Sequence, residues 1–141
     1  MEREEPTMRN SFFMPMRVPT VTHQEHKVSV VHGKPRFYEP AELKDARQSY
    51  IAHLAQYAPR EPWKGPIRLE VKFLYQDESL LSEWTWKTTK PDTDNMIKLL
   101  KDCMTRTGFW KDDCQVVSEQ VEKFYSRDHE GVYIVVQSLE E

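Results

Sequence analysis

The chain has 141 residues, 30% of them charged and 38% hydrophobic, and a formal net charge of −3. This composition is typical of one compact globular domain and excludes a disordered chain. No run approaches the roughly 18 apolar residues of a membrane span, and the acidic start MEREEPTMRN is unlike a secretory signal. We therefore expect a cytoplasmic protein with no membrane partner, whose two cysteines, Cys103 and Cys114, are unpaired thiols in or near the core.

The first third of the chain predicts a short tail followed by strands. Residues 1–10 are polar and are expected to form a flexible N-terminal tail, which leaves residues 11–141 as the single domain. The stretch SFFMPMRVPT is apolar but contains two prolines, which favours a strand at the edge of a sheet. In KVSVVHGKPRFYEP, two short β-rich runs flank a glycine, a pattern that indicates a hairpin.

The remaining two thirds alternate helical and strand patterns. Apolar residues at spacings of three and four predict a helix over about residues 40–57 and a second over about 94–106. In IRLEVKFLY, every second residue from Ile67 to Tyr75 is apolar and alternates with Arg68, Glu70 and Lys72, which predicts a strand with one solvent-exposed face. Residues 115–125 predict another strand. GVYIVVQ is apolar on both sides and is expected in the middle of the sheet. The fold class is therefore α+β, with one mixed or antiparallel sheet and two main helices packed on one face.

The start of the second predicted helix carries an unusual group of charges. In KPDTDN, the proline favours an extended chain, and Asp94 is a good N-cap residue for the helix. If the chain before the helix is extended, Asp92 and Asp94 project on the same side. Lys98 lies four residues later, and helical side chains lean toward the N-terminus. Its ammonium is therefore expected close to the two carboxylates.

A second acidic pair follows this helix. The stretch from Gly108 to Asp113 can return the chain, so that Asp113 or Asp112 joins the first pair. Three carboxylates and a lysine would then converge, which is costly unless a hard cation neutralises them. Oxygen ligands with room for water suit Mg²⁺.

A plain structural interpretation of the same residues stays open at this point. Asp94 would only cap the helix, Lys98 would pair with Asp94 and Asp102 at spacings of four, and the second acidic pair would lie in a solvated turn. Spacing alone does not decide between the two interpretations.

The block DTDNMIKLLKDCMTRTGFWKDDCQVV, Asp92–Val117, resembles the signature of the RusA family of Holliday junction resolvases. That signature has D-x-D-N, a lysine four residues after the second aspartate, a further aspartate four residues on, then G-F/Y-W and D-D-x-Q-V-V. The resemblance implies a homodimeric endodeoxyribonuclease that depends on Mg²⁺, with Mn²⁺ as an alternative ion, and needs no organic cofactor. It also implies paired symmetric nicks in four-way DNA junctions during recombination and repair, in a bacterial cytoplasm and encoded by a phage or prophage.

The resemblance also implies residue roles. Asp92, Asp94 and Asp113 match the metal-binding catalytic aspartates, and Lys98 matches the catalytic lysine. Asp112 is either an additional ligand or the residue that orients Asp113. The candidate DNA contacts are basic residues near the site and in the hairpin: Lys87, Lys90, Lys101, Arg106, Lys111, Lys34 and Arg36.

Some features depart from the family pattern. WTWKTTK offers two lysines where the family carries several arginines, and PTVTHQ lacks the asparagines of the family's N-terminal loop. His23 and Gln24 take their place as candidate DNA or metal contacts. Trp84, Trp86 and Trp110 could stack on unpaired bases, although such residues more often fill a core or an interface. The net negative charge weakens the electrostatic case for DNA binding.

Two other functions remain open. A branched-DNA-binding module could keep the fold without cleaving, although a binding module has no need of a costly acidic cluster. A metal-dependent nuclease could act on flaps or replication forks instead of junctions. Substrate shape and dimer architecture separate these functions, and one sequence reveals neither.

Overall fold

The computed structural model describes residues 8–20, 27–31, 33–38 and 40–139. The strands are β1 (Arg9–Pro15), β2 (Lys27–Val31), β3 (Lys34–Tyr38), β4 (Ile67–Gln76), β5 (Trp84–Trp86), β6 (Val116–Ser126) and β7 (Gly131–Ser138), and the two α-helices are α1 (Ala41–Leu54) and α2 (Thr93–Thr107). Neither helix in these ranges has the length and apolar character needed to cross a membrane.

Five of the strands form one mixed sheet in the order β1-β7-β4-β6-β5. The β4–β6 pair is parallel, and the other three pairs are antiparallel. β2 and β3 form the separate hairpin that the sequence predicts. β1 lies at an edge, as the prolines of the stretch SFFMPMRVPT predict, and β7 lies inside the sheet. The predicted α+β class with a mixed sheet is therefore confirmed, and β1 begins at Arg9, inside the stretch expected as a tail.

One face of the sheet is covered by both helices. On β4, every second residue is buried, and the residues between them point to the opposite face. The apolar sides of α1 and α2 pack in the same core. Burying one Leu or Phe side chain contributes about 1.5 to 3 kcal/mol relative to exposure. The largest fully buried side chains of this core include Tyr50, Leu54, Ile67, Leu69, Phe73, Leu99, Leu100 and Met104.

The C-terminal end of α2 is anchored in the core. Gly108 adopts a left-handed conformation with φ of 90°, and the amide of Phe109 donates to the carbonyl of Met104 at 3.0 Å. Phe109 and Trp110 are each 1% exposed, and the Trp110 indole donates to Thr105 Oγ1 at 2.7 Å. The chain therefore leaves α2 at a fixed point before it enters β6.

The two cysteines are both unpaired, as the sequence predicts, but their surroundings differ. Cys103 is buried on α2, and its thiol donates to the carbonyl of Arg47 at 3.9 Å. Cys114 is exposed between α2 and β6. Only Cys103 therefore belongs to the core.

Gly131, the first residue of β7, is paired with Pro15 of β1 and lies close against that strand. A Cβ atom on Gly131 would overlap the carbonyl oxygen of Met14 and would lie 2.6 Å from Cζ of Phe13. Because Met14 O is a backbone atom of the paired strand, we expect Gly131→Ala to lower the free energy of unfolding by about 3 kcal/mol. Gly108 also has a positive φ, but a Cβ atom added to it would meet no neighbouring atom within 4 Å. We expect Gly108→Ala to cost only about 1 kcal/mol. Equal losses in urea denaturation would contradict the steric explanation.

Candidate active site

Asp92 and Asp94 lie at the N-terminal end of α2. Asp92 is extended (φ −74°, ψ 145°) and is the N-cap, and its carbonyl accepts from the amide of Met96 at 3.1 Å. The prediction that Asp94 caps the helix was therefore wrong, because the helix begins one residue before it, at Thr93. Both carboxylates are exposed, and neither makes a hydrogen bond or ion pair with a described residue. The positive end of the helix dipole stabilises both negative charges.

Asp112 and Asp113 lie at a short 3-10 helix, Asp113–Gln115, between α2 and β6. The Asp112 carboxylate caps this helix by accepting from the amide of Cys114 at 3.0 Å, which lowers the pKa of Asp112. The Gln115 side-chain oxygen accepts from the amide of Asp112 at 3.1 Å, completing a capping box. Asp113 is exposed in the first position of the helix. Asp112 therefore has a structural task, whereas Asp113 presents its side chain to solvent.

The two acidic pairs lie at opposite ends of α2. Contacts along β6 show this: Lys123 Nζ reaches the carbonyl of Pro91, before α2, whereas Lys101 Nζ reaches Glu119 Oε2 at 3.0 Å, farther along the helix. β6 therefore runs back along α2, and its start lies near the end of the helix. The 15 residues of α2 extend about 22 Å at about 1.5 Å per residue. Asp113 is thus far from Asp92 and Asp94.

The expected convergence of three carboxylates is therefore not seen within one chain. Among residues 8–20, 27–31, 33–38 and 40–139, no three His, Cys, Asp or Glu side chains are grouped so that they could hold a metal ion. The physical reason is the anchored end of α2, which lets the chain turn back only after the whole helix. Asp92 and Asp94 still fit a hard cation in part, because Mg²⁺ commonly takes one or two carboxylates and completes its shell with water and phosphate oxygens.

Lys98 is exposed one turn after Asp94. It forms no ion pair with a described residue, and Asp102 instead pairs with Arg47 at 3.6 Å and with Arg106 at 3.3 Å. The plain interpretation, in which Lys98 pairs with Asp94 and Asp102, is therefore not what the structure has. The Lys98 ammonium is accessible to a ligand beside Asp94.

Apart from Lys87, the candidate DNA contacts fall into three groups. Lys90 and Lys111 are exposed. The Lys101 ammonium, with its side chain 19% exposed, pairs with Glu119, and Arg106 pairs with Asp102. Lys34 and Arg36 lie on β3, but their side chains are outside the described set, and His23 and Gln24 lie outside the described residues. The exposed lysines therefore stand out as the accessible cations near the two ends of α2.

Lys87 is turned toward the protein rather than to solvent. Its ammonium lies 4.9 Å from the Tyr75 ring centroid and 4.7 Å from that of Tyr125, and it donates to Thr89 Oγ1 at 2.7 Å and to the Tyr125 hydroxyl at 3.1 Å. The hydrogen bonds from Thr89 and Lys87 lower the pKa of Tyr125. Lys87 thus helps to hold the loop that leads to Asp92.

Lys123 on β6 was missed by the sequence interpretation. Its ammonium donates to the carbonyls of Thr89 at 2.5 Å and Pro91 at 2.6 Å. The sequence does contain a clue to this role. Val121 and Tyr125, two residues to either side of Lys123, pack against the core, so the strand pattern places this lysine on the face of β6 that points to the helices. Its bonding partners, however, are set by the tertiary fold.

Trp84 and Trp86 lie on the open face of the sheet, opposite the helices. They are 49% and 53% exposed, and the Trp86 ring stacks on Phe124 with centroids 4.6 Å apart. Trp110, by contrast, is in the core. A pocket of about 590 Å³ beside the two exposed tryptophans has three carboxylates in its lining, of Glu83, Glu122 and Asp128, against one lysine, Lys72. This acidic lining disfavours a phosphate backbone on this face.

Comparisons with known proteins agree with the motif. The sequence model of the family described as Endodeoxyribonuclease RusA matches residues 17–137. A protein of Lactococcus phage r1t named crossover junction endodeoxyribonuclease rusA is 34% identical over 109 residues, which cover 76% of this chain and 81% of that protein. The protein YqaN of Bacillus subtilis strain 168, which is described as uncharacterised, is 35% identical over 112 residues, covering 71% of this chain and 78% of YqaN. This chain therefore belongs to the RusA family of endodeoxyribonucleases, enzymes that hydrolyse phosphodiester bonds in DNA.

Proposed function

We propose that this chain is a Mg²⁺-dependent, homodimeric nuclease that resolves four-way DNA junctions by paired symmetric nicks in recombination and repair. The observation that carries the proposal is the D-x-D-N start of α2, with Asp92, Asp94 and Lys98 all exposed at one end of the helix. The name of the phage r1t relative supports a junction as the substrate. The phage source of that relative also supports a phage or prophage origin and action in a bacterial cytoplasm.

Asp92 and Asp94 are the proposed metal ligands of each chain. Mg²⁺, or Mn²⁺ in its place, when bound lowers the pKa of an attacking water and shields the phosphate charge. The carboxylates orient that site and are themselves held at the positive end of α2. Lys98 donates to an oxygen of the scissile phosphate and stabilises the negative charge that grows there during cleavage. No organic cofactor is needed for these tasks.

Asp113 is the proposed third ligand, and a second copy of the chain supplies it. Asp113 of the same chain follows the far end of α2, a helix about 22 Å long that begins beside Asp92, and no three such side chains are grouped among the described residues. In a two-fold dimer, the start of α2 from one copy can meet the end of α2 from the other, and symmetry repeats the arrangement. Each dimer then holds two complete sites, which is the number that paired incision requires.

DNA contact is proposed to rest on local charge rather than on the net charge of −3. Net charge does not report how charges are distributed over a surface. Lys90, Lys98 and Lys111 are exposed near the ends of α2, where the phosphate backbone would pass on its way to the carboxylates. The acidic pocket beside Trp84 and Trp86 lies on the other face of the sheet and is not assigned to DNA.

Cleavage of a synthetic mobile four-way junction tests the proposal, beside linear duplex and flap controls, with Mg²⁺ or with EDTA. We expect symmetric nicks on the junction alone and none in EDTA. Cutting of flaps or duplex at a similar rate would favour a nuclease of broader substrate range. Tight junction binding without cutting would favour a non-catalytic structure-recognition module and would contradict the proposed reaction.

A further inference from the structure

The loop that leads into α2 is tied to β6 by one side chain. Lys123 is partly buried, and its ammonium donates to the carbonyls of both Thr89 and Pro91. Within the described part of the chain, no carboxylate lies in ion-pair distance of this ammonium. A charged donor that is shared between two backbone carbonyls fixes the path of the backbone rather than neutralising an acid.

The rest of the loop has few other connections to the sheet. Residues 88–90 are exposed, and only Pro91 is buried. The amide of Lys87 donates to the carbonyl of Lys123 at 3.1 Å, and Thr89 Oγ1 lies 3.3 Å from the Tyr125 hydroxyl. Lys123 thus contributes both its backbone and its side chain to the connection between β6 and this loop.

The second of the two carbonyls belongs to the residue directly before Asp92. The direction of the chain at Pro91 sets where Asp92, the N-cap, lies, and Asp94 follows in the first turn. The ammonium thus acts on the backbone that carries the two carboxylates rather than on the carboxylates directly. Lys123 can therefore act on the position of the proposed metal ligands.

We propose that Lys123 is a positioning residue that orients Asp92 and Asp94 for metal binding. This inference rests on the proposed function, because it concerns the same carboxylates. Groups that orient metal ligands typically change metal affinity by about 10- to 100-fold when they are removed. A lysine that only stabilised the fold would change the melting temperature without changing the metal affinity of the folded protein.

The experiment compares Lys123→Met, Lys123→Arg and Lys72→Met in the full chain. Lys72 lies on the neighbouring strand β4 but on the opposite face of the sheet, so it is a matched control. Mn²⁺ affinity is measured by electron paramagnetic resonance, and the Mg²⁺ concentration for half-maximal junction cleavage is measured alongside the melting temperature. For Lys123→Met we expect Mn²⁺ affinity to fall, and the Mg²⁺ requirement to rise, by about 10- to 100-fold.

The maximal rate of Lys123→Met at saturating Mg²⁺ is expected to recover most of the parent value, because the ligands themselves are intact. Lys123→Arg keeps charged donors for both carbonyls and is expected to restore most of the affinity. Lys72→Met is expected to match the parent in every readout. If Lys123→Met does not fold, Lys123→Gln takes its place. Mn²⁺ affinity that falls in Lys123→Gln and recovers in Lys123→Arg would support the inference equally.

Parent-like Mn²⁺ affinity in folded Lys123→Met, or in both Lys123→Gln and Lys123→Arg, would overturn the inference alone. A parent protein that binds no Mn²⁺ and cuts no junction would overturn the proposed function, and this inference with it. The two failures are therefore distinguished by the behaviour of the parent.

Discussion

Asp94→Asn is expected to reduce junction cleavage by about a thousandfold while leaving the protein folded. The substitution replaces a proposed metal ligand by a weaker, neutral one, and a metal site contributes several kcal/mol to the stabilisation of a phosphoryl transition state. Asp94 is exposed and makes no hydrogen bond with a described residue, so the melting temperature should change little. Single-turnover cleavage of a labelled junction and thermal unfolding measure the two effects separately.

Glu42→Gln is the matched control for this substitution. Glu42 is an exposed carboxylate in the first turn of the other helix, α1, where it also faces the positive end of a helix dipole. Its replacement removes the same charge from an equivalent position and is expected to leave cleavage unchanged. If Asp94→Asn cleaved the junction at the parent rate, Asp94 would not be a metal ligand. If Glu42→Gln reduced cleavage as much as Asp94→Asn does, the effect of Asp94→Asn would not be specific to the site.

Mixing Asp94→Asn with Asp113→Asn is expected to restore nicking that neither variant has alone. If each site takes Asp94 from one copy and Asp113 from the other, a mixed dimer has one site with both substitutions and one site with neither. After subunit exchange, half of the dimers are mixed, so about a quarter of all sites become active. Because no mixed dimer has two active sites, single nicks should reappear without paired resolution of the junction.

A mixture of Asp94→Asn with Asp92→Asn is the control. Both residues lie at the same end of α2, so every site in every dimer carries a substitution. We expect this mixture to stay inactive. If the Asp94→Asn and Asp113→Asn mixture also stayed inactive after confirmed subunit exchange, Asp113 would not be a ligand donated by the second copy.

The parts of the fold that depend on local burial patterns could be predicted from the sequence. The alternation of β4 and the spacing of apolar residues in α2 both reflect which side chains face the core, and both elements are present. The first helix was predicted to extend to Tyr57 but ends at Leu54. The apolar spacing continues past the helix because the Tyr57 ring stacks on Phe12, with centroids 4.4 Å apart, from a turn.

Features that depend on pairing between distant segments could not be predicted in the same way. β5 has only three residues, all exposed, so no burial pattern indicates it. The parallel pairing of β4 with β6 depends on the path of the chain through β5 and α2 rather than on the residues of either strand. Local periodicity therefore identifies most of the elements but not their arrangement.

The same distinction applies to the candidate site. The D-x-D-N start and Lys98 could be found because they are contiguous with α2, and all three side chains are exposed together at its start. The separation of Asp113 from Asp92 and Asp94 could not be predicted. It depends on the burial of Phe109 and Trp110, which anchors the end of the helix in the core. A dimer contact depends on which side chains the fold brings together on the surface, and the order of residues in a sequence does not reveal this.

The different surroundings of the two cysteines give the native protein a ready attachment point for a probe. Cys103 is enclosed in the core, whereas the Cys114 thiol is open to solvent. The hydrogen bond with Asp112 raises the pKa of the Cys114 thiol, so a thiol-specific spin label should react at this one position per chain under mildly alkaline conditions, without any engineered residue. Cys114 directly follows Asp113, so a dipolar distance between two labels would locate the proposed third carboxylate of each copy relative to the other. The same label would report whether that distance changes when a junction binds.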